Sequence, residues 1–279
     1  VLAEHDHLVH ACDTEVTDID IDRSPIGQGT VTCFSVYSGP ELDFGTGAGR
    51  VLWVDTLVPG VLDEFRPWFE SESARKLWHN YGFDRHVLWN HGIDVRGLAG
   101  DTMHMARLWD ASRLNGYSLA QLTLELCDRP KVKMLDIFGR AKLRSDGTPG
   151  KVLELPSARD IQEDPLMRRD WIQYSAYDAQ GTWLLHVELE KRLRAIEWSF
   201  AGGKTPEGAT LYDYYTRYWR PFGEMLTDME REGVRVDRVT KLPYAQRQAE
   251  RDRDQLELTF RRFAAKYRAK AWFMNVGST

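Results

Sequence analysis

Three short runs rich in β-branched and aromatic residues open the chain: Leu8 to Thr14 (LVHACDT), Thr30 to Tyr37 (TVTCFSVY) and Val51 to Val54 (VLWV), with Gly-, Pro- and Asp-rich breaks between them. Runs of that length and make-up predict neighbouring strands of one sheet. The pattern then changes period. Pro59 to Glu72 is amphipathic, Lys76 to His79 is a short buried segment, and Phe83 to His91 has helical spacing that ends near Gly92. Asp101 to Trp109 and Ser118 to Leu126 repeat the helical spacing, with Ser118 placed to cap the second. Strands alternating with helices predict an α/β fold.

Residues 128–165 break the rhythm. Pro130, Pro149, Pro156 and Pro165 punctuate a basic stretch around IFGRAKLRSDGTPGK, with a turn signal at Asp146-Gly147. It reads as a long connection of the kind that often carries function. Leu166 to Leu193 then reads as one or two helices, and the break GGKTPEG at 202–208 marks a boundary between domains at 1–201 and 209–279. Beyond it, Tyr215, Trp219, Phe222, Leu226 and Met229 recur at helical spacing until Gly233. Residues 238–270 form a second long helical pattern, which is expected to fray without a packing partner.

Composition bounds what such a chain can do. With 279 residues, 42% of them hydrophobic, a buried core is within reach. A formal charge of −5 argues against holding nucleic acid by bulk charge, yet the charge is segregated. Ten lysines and arginines stand against four carboxylates in 238–270, so the acid excess lies elsewhere. There is no apolar run of the roughly eighteen residues a membrane helix needs. The start at Val1, with no signal-type segment, reads as a fragment. Cys12, Cys33 and Cys127 are far apart and form no Cys-x-x-Cys pair, which predicts buried thiols rather than disulfides or a zinc site. His5, His7 and His10 read as a solvated tail, and Gly45 to Gly49 lacks the Gly-Lys-Ser/Thr ending of a phosphate cradle and reads as a hairpin loop.

Three segments carry residues fit for chemistry. Asp13-Thr14-Glu15 closes the first predicted strand, and the two-residue period projects both carboxylates to one side, where a divalent cation would relieve their repulsion. Asn80 and Asp84 lie one turn apart at a helix start, where, taken alone, capping by Asn80 and dipole compensation by Asp84 are the ordinary explanation. Tyr174 and Asp178 are four residues apart on one helical face. Taken together, Asp13, Glu15, Asp84, Asp178 and Tyr174 make a set suited to phosphodiester hydrolysis. That reaction uses two hard cations roughly 4 Å apart, one to activate a water and one to stabilise the leaving oxygen. Carboxylates suit Mg²⁺ or Mn²⁺. In this reading Asp13 bridges both ions, Glu15 and Asp178 complete the first site, Asp84 serves the second through water, and Tyr174 orients the attacking water. Between the second and third segments, Lys131, Lys133, Arg140, Lys142, Arg144 and Lys151 could draw a single strand toward the carboxylates, or could be no more than a solvated basic loop.

The strings ACDTEV (11–16), HNYGFDRHV (79–87), DTMHMARLWD (101–110), IFGRAKLRSDGTPGK (137–151) and YSAYDA (174–179) resemble the proofreading 3′–5′ exonuclease of the DEDD superfamily, tyrosine subclass, in the form found in plant and protist organellar family A DNA polymerases. YDYYTRYWRPFGEMLTDMEREGVRVD (212–237) and MNVGST (274–279) resemble the opening of their polymerase module. The resemblance implies a ribonuclease-H-like mixed sheet flanked by helices, then a helical polymerase stub. It implies two divalent ions (Mg²⁺ or Mn²⁺) on Asp13, Glu15, Asp84 and Asp178, and a single-stranded or frayed DNA 3′ end as substrate. It also implies contact with the terminal nucleotide at Asn80 and Thr14 and an apolar wedge at Ile19. Cys127 and Met134 are joined by a shorter link than in the family pattern. The chain ends at Thr279 before any palm carboxylates, so it is expected to remove nucleotides and not to add them, with the rest of the polymerase in cis and a mitochondrial or plastid location implied by the family alone. Two other readings remain open at this point: a stand-alone RNA exonuclease of the ribonuclease D kind, and a nucleic-acid-binding module that has lost activity.

Overall fold

Strand β1 (His10–Thr17) runs through the middle of a five-stranded sheet of order β3-β2-β1-β4-β5. On one side it pairs antiparallel with β2 (Thr30–Tyr37), which pairs antiparallel with β3 (Leu52–Asp55). On the other it pairs parallel with β4 (Lys76–Trp78), and β4 with β5 (Leu98–Asp101). The sheet is therefore mixed, and the fold is α/β. These strands belong to a computed structural model that describes residues 2–20, 22–144, 147–199 and 207–277. Asp146 of the expected turn and residues 202–206 of the expected break lie outside the described residues.

β1 begins and ends later than the sequence suggests, so Asp13-Thr14-Glu15 lies inside the strand instead of closing it. The reason is that Thr14, Val16 and Thr17 continue the β-branched run and find partners at Phe34, Val31 and Thr30, with a bulge after Glu15. His10 is likewise not part of a solvated tail. It is buried at the start of β1, with Nδ1 2.7 Å from Ser38 Oγ and Nε2 3.0 Å from the His5 carbonyl, and burial lowers its pKa to about 4.

Pro59 to Glu72 forms two short helices, α1 (Val61–Glu64) and α2 (Arg66–Phe69), which bury Trp68 and Phe69 in the main core. Helices α3 (Tyr81–Asn90), α4 (Thr102–Trp109) and α5 (Leu119–Cys127) follow, and Ser118 caps α5 by accepting the Gln121 N–H at 3.3 Å. The 128–165 segment is more ordered than its proline content suggests. It holds α6 (Met134–Phe138), an antiparallel hairpin of β6 (Arg140–Leu143) and β7 (Pro149–Glu154), and α7 (Ala158–Glu163). Met134 and Phe138 share a helical face, and Phe138 buries against Trp171, which anchors the segment.

A single 27-residue helix, α8 (Arg168–Arg194), crosses β1 and β2. Two bonds fasten its Ser175 turn to the sheet: Ser35 Oγ donates to the Ser175 carbonyl at 3.0 Å, and Trp53 Nε1 donates to Ser175 Oγ at 2.8 Å. This docking sets the height of everything on the adjoining turns of α8.

The chain separates into two units, Val1–Arg231 and Glu232–Thr279. The first runs past the 202–208 break and takes in α9 (Leu211–Tyr214), a π-turn at Tyr215–Trp219 and most of α10 (Arg220–Glu232). Tyr215 is fully buried with Leu185, Leu189 and Leu193 of α8, and Tyr212 and Trp219 pack against the same cluster. In the second unit, α11 (Lys241–Ala265) buries no residue, and Arg261 Nη1 donates to the Trp272 carbonyl at 3.1 Å.

A buried cation joins α3 to α10. Arg85 is 2% exposed and donates to Thr227 Oγ1 and to the Glu224 carbonyl at 3.0 Å, while pairing with Asp228 at 2.9 Å and Asp94 at 3.4 Å. Arg231 returns the contact, pairing with Asp94 at 2.8 Å and donating to the Arg85 carbonyl at 3.0 Å. Removing a buried charge that several groups rely on leaves those groups unsatisfied. Arg85→Ala should therefore destabilise the chain by about 3 kcal/mol in urea unfolding. Asp228→Ala, at a carboxylate 56% exposed, should cost less than about 1 kcal/mol. Equal small losses would contradict this account of the clasp.

Candidate active site

Asp13 and Glu15 leave the same face of β1, and Asp178 reaches them from α8, one turn beyond the fastened Ser175. One carboxylate oxygen from each of the three lies within 4.8 Å of the others. Asp84, in the first turn of α3, is buried beside them. Its Oδ1 accepts the Thr14 N–H at 3.2 Å and the Thr14 hydroxyl at 2.6 Å. The four expected carboxylates thus divide into a cluster of three and a fourth tied to the strand between Asp13 and Glu15. The Thr14 hydroxyl, expected at the substrate, is engaged by Asp84.

Tyr174 lies one turn before Asp178. Its ring stacks on Trp171 at 6.0 Å and meets Phe138 edge-on at 5.8 Å. The Lys131 ammonium donates to Asp178 Oδ2 and sits 4.0 Å from the centre of the Tyr174 ring. Asp178 Oδ1 is shielded from solvent and has no hydrogen-bond partner among the described residues.

The electrostatics follow from that crowding. Burial, then repulsion from Asp178, Glu15 and Asp84, raises the Asp13 pKa well above the usual carboxylate range. Glu15 is pushed up to about 8 by burial and by Asp178. Burial raises Asp84 to about 7 even though the Thr14 bonds pull it down. Asp178 is raised by burial and eased by Lys131. Burial alone would lower the Lys131 pKa, but the Asp178 charge reverses the direction. The site therefore has a strong appetite for positive charge, whether proton, ammonium or metal ion.

Asn80 precedes α3 with φ 70°, a left-handed conformation that asparagine tolerates. Its side chain caps nothing and is exposed, so the helix-cap explanation does not account for it. The fully buried Asp101 holds this corner: its carboxylate accepts the N–H groups of Asn80 (3.1 Å) and Tyr81 (2.8 Å), and those of Met103 (2.8 Å) and His104 (3.3 Å). One carboxylate thereby satisfies the starts of two helices. The Asp101 N–H in turn donates to the Tyr215 hydroxyl at 2.6 Å. Asp101 before Thr102 is an ordinary N-cap signal for α4, but its second duty at α3 has no local signature.

Ile19 is partly buried against the main core, just past β1. Arg140 pairs with Asp164 at 2.5 Å, and Lys142 is exposed on β6. Neither hairpin residue belongs to the carboxylate cluster.

These shifts set the sign of a pH dependence. A carboxylate whose folded pKa lies above its unfolded value stabilises the fold below the unfolded pKa, and that stability is lost as pH rises through the folded pKa. For Glu15 the window runs from 4.5 to about 8. In chelator, thermal unfolding should therefore give a lower Tm at about pH 9 than at about pH 6, and, if these carboxylates hold Mg²⁺, the ion should raise Tm more at the higher pH, where they are ionised. A Mg²⁺ increment larger at the lower pH would contradict the assignment.

A family profile described as 3′–5′ exonuclease matches residues 4–194. DNA polymerase I A, chloroplastic/mitochondrial, of Arabidopsis thaliana is 42% identical over 97% of the chain, and DNA polymerase I A, chloroplastic, of Oryza sativa subsp. japonica is 45% identical over 97%. The chain spans 27% of the length of each. Among solved structures, the POL domain of Pol1 from M. smegmatis, in complex with DNA primer-template and dNTP, superposes with a TM-score of 0.60 over 99% of this chain and 37% of its own. Its 18% identity makes this a likeness of fold. The chain belongs to the 3′–5′ exonuclease family, and along almost its whole length it matches the organellar DNA polymerase I of plants.

Proposed function

We propose that this chain is the proofreading 3′–5′ exonuclease of an organellar DNA polymerase I, acting in a mitochondrion or plastid. It hydrolyses the last phosphodiester of a single-stranded or frayed DNA 3′ end and releases nucleoside monophosphates. The observation that carries the reading is the convergence of Asp13, Glu15 and Asp178 within 4.8 Å. Like charges held that close need a counter-cation, and the unpartnered Asp178 Oδ1 leaves a hard oxygen ligand ready for one. The donor set is all carboxylate, which suits Mg²⁺ or Mn²⁺.

In this reading Asp13, Glu15 and Asp178 would hold one ion, and Asp13 with Asp84, whose Oδ1 is engaged by Thr14, would hold the other. A bound pair of such ions supplies Lewis acidity at the attacking water and at the leaving oxygen. Tyr174, fixed by Trp171 and Phe138, orients that water with its hydroxyl. Water attacks the terminal phosphorus, the bond to the penultimate 3′ oxygen breaks, and that oxygen takes up a proton. The exposed Asn80 side chain reaches the terminal nucleotide and Ile19 wedges against its base. The melted end is preferred because a mispaired base is cheaper to unstack. Lys142 attracts the incoming strand, and Arg140 can exchange its surface pair with Asp164 for a phosphate at little cost.

The match to organellar DNA polymerases over 97% of the chain favours DNA over RNA. A 5′-labelled oligonucleotide incubated with Mg²⁺ should be shortened stepwise by the wild type. Asp13→Ala and Asp178→Ala should each lower the rate on the order of a thousandfold, since metal stabilisation of the transition state is worth several kcal/mol. Product ladders that persist in both variants would sink the site, and faster digestion of RNA than DNA ends would overturn the substrate.

A further inference from the structure

Lys131 enters the carboxylate cluster from outside the motifs that define it. Its ammonium donates to Asp178 Oδ2 and lies over the Tyr174 ring, and both members of the ion pair are largely buried, at 14% and 13% exposure. Its placement is built into the fold. The Tyr177 hydroxyl donates to the Pro130 carbonyl at 2.6 Å, and the Arg129 guanidinium lies 3.9 Å from the Tyr177 ring centre while Nη2 donates to Gln180 Oε1 at 2.5 Å. The two residues before Lys131 are thus clamped to α8 on the turn that carries Asp178.

Asp178 also supplies one of the three oxygens that converge within 4.8 Å. An ammonium on that carboxylate offsets charge a divalent ion would otherwise offset, so the two cations compete. Lys131 has somewhere else to go. A cavity of about 300 Å³ opens beside it, lined by Ile137, Gln173, Tyr174 and Tyr177 among others, and a flexible lysine stem can turn without moving the loop.

We propose that the Lys131 ammonium on Asp178 Oδ2 weakens the hold of the same carboxylate, through its free Oδ1, on a divalent metal, and that an incoming phosphodiester draws the ammonium away, so that DNA and metal bind with positive cooperativity. The proposal rests on the nuclease reading of the site. It makes Lys131 a positioning residue that couples substrate to metal, and linkage requires the coupling to be reciprocal.

Calorimetry tests this without turnover. Mn²⁺ is titrated into the full chain, alone and with a short single strand whose terminal linkage is a phosphorothioate. In the wild type the DNA should tighten Mn²⁺ binding about tenfold, within the usual range for coupled sites. Lys131→Met should bind Mn²⁺ about tenfold tighter without DNA and lose the tightening by DNA, whereas Lys131→Arg should keep the wild-type pattern. Unchanged or weaker Mn²⁺ binding by Lys131→Met overturns the proposal. So does a wild type whose Mn²⁺ affinity ignores DNA, a result that holds whether or not the variant folds. Failure of the nuclease reading shows up separately, as a wild type that leaves labelled DNA intact.

Discussion

Asp13 and Glu15 project from one face of the central strand toward Asp178, and the repulsion among these three carboxylates is the constraint the rest of the first unit has to satisfy. A strand with a two-residue period delivers two of them with no choice of direction once its register with β2 is set. The third comes from a helix fastened one turn away by Ser35 and Trp53. Neither anchor involves the acidic residues, so the repulsion is resisted by ordinary packing and hydrogen bonds elsewhere. Burial raises the proton affinities of Asp13, Glu15, Asp84 and Asp178, and repulsion from Asp178 adds to it at Asp13 and Glu15.

A second layer holds the fourth carboxylate. Asp84, Arg85 and His86 are consecutive on α3. Asp84 faces Thr14, Arg85 enters the clasp with α10, and His86 Nε2 lies 2.7 Å from Glu230. Asp101 steadies the start of the same helix and is itself met by Tyr215. The segment that resembles a polymerase opening therefore supplies contacts that fix the helix carrying Asp84. This is the physical reason the first unit continues to Arg231 and does not stop at the 202–208 break.

Much of this is legible in the sequence wherever a local period decides the matter. Thr30–Tyr37 reads as a strand and is one, because its β-branched and aromatic side chains are buried on both faces from Val31 to Tyr37. Asp13 with Glu15, and Tyr174 with Asp178, are legible as pairs sharing a face. The family resemblance, more than the spacing, brings the pairs together, since their convergence depends on α8 crossing β1, a long-range packing event. Lys131 shows the limit. It reads as one of several loop cations, and its partner Asp178 lies 47 residues away. The β6–β7 hairpin hides for another reason: its prolines and glycines suggest an open loop, while Phe138 docking on Trp171 orders the segment. His10 looks like one of three solvated histidines until β1 pairs with β2 and β4 and buries it.

The central claim, that this crowding exists to hold divalent cations against a phosphodiester, is tested most directly by crystals grown with Mn²⁺ and a short DNA single strand. Anomalous scattering should place one ion among Asp13, Glu15 and Asp178 and a second roughly 4 Å away toward Asp84. The Lys131 ammonium should be off Asp178. Saturating Mn²⁺ that gives no anomalous peak at these carboxylates, with Lys131 still bonded to Asp178, would contradict the account.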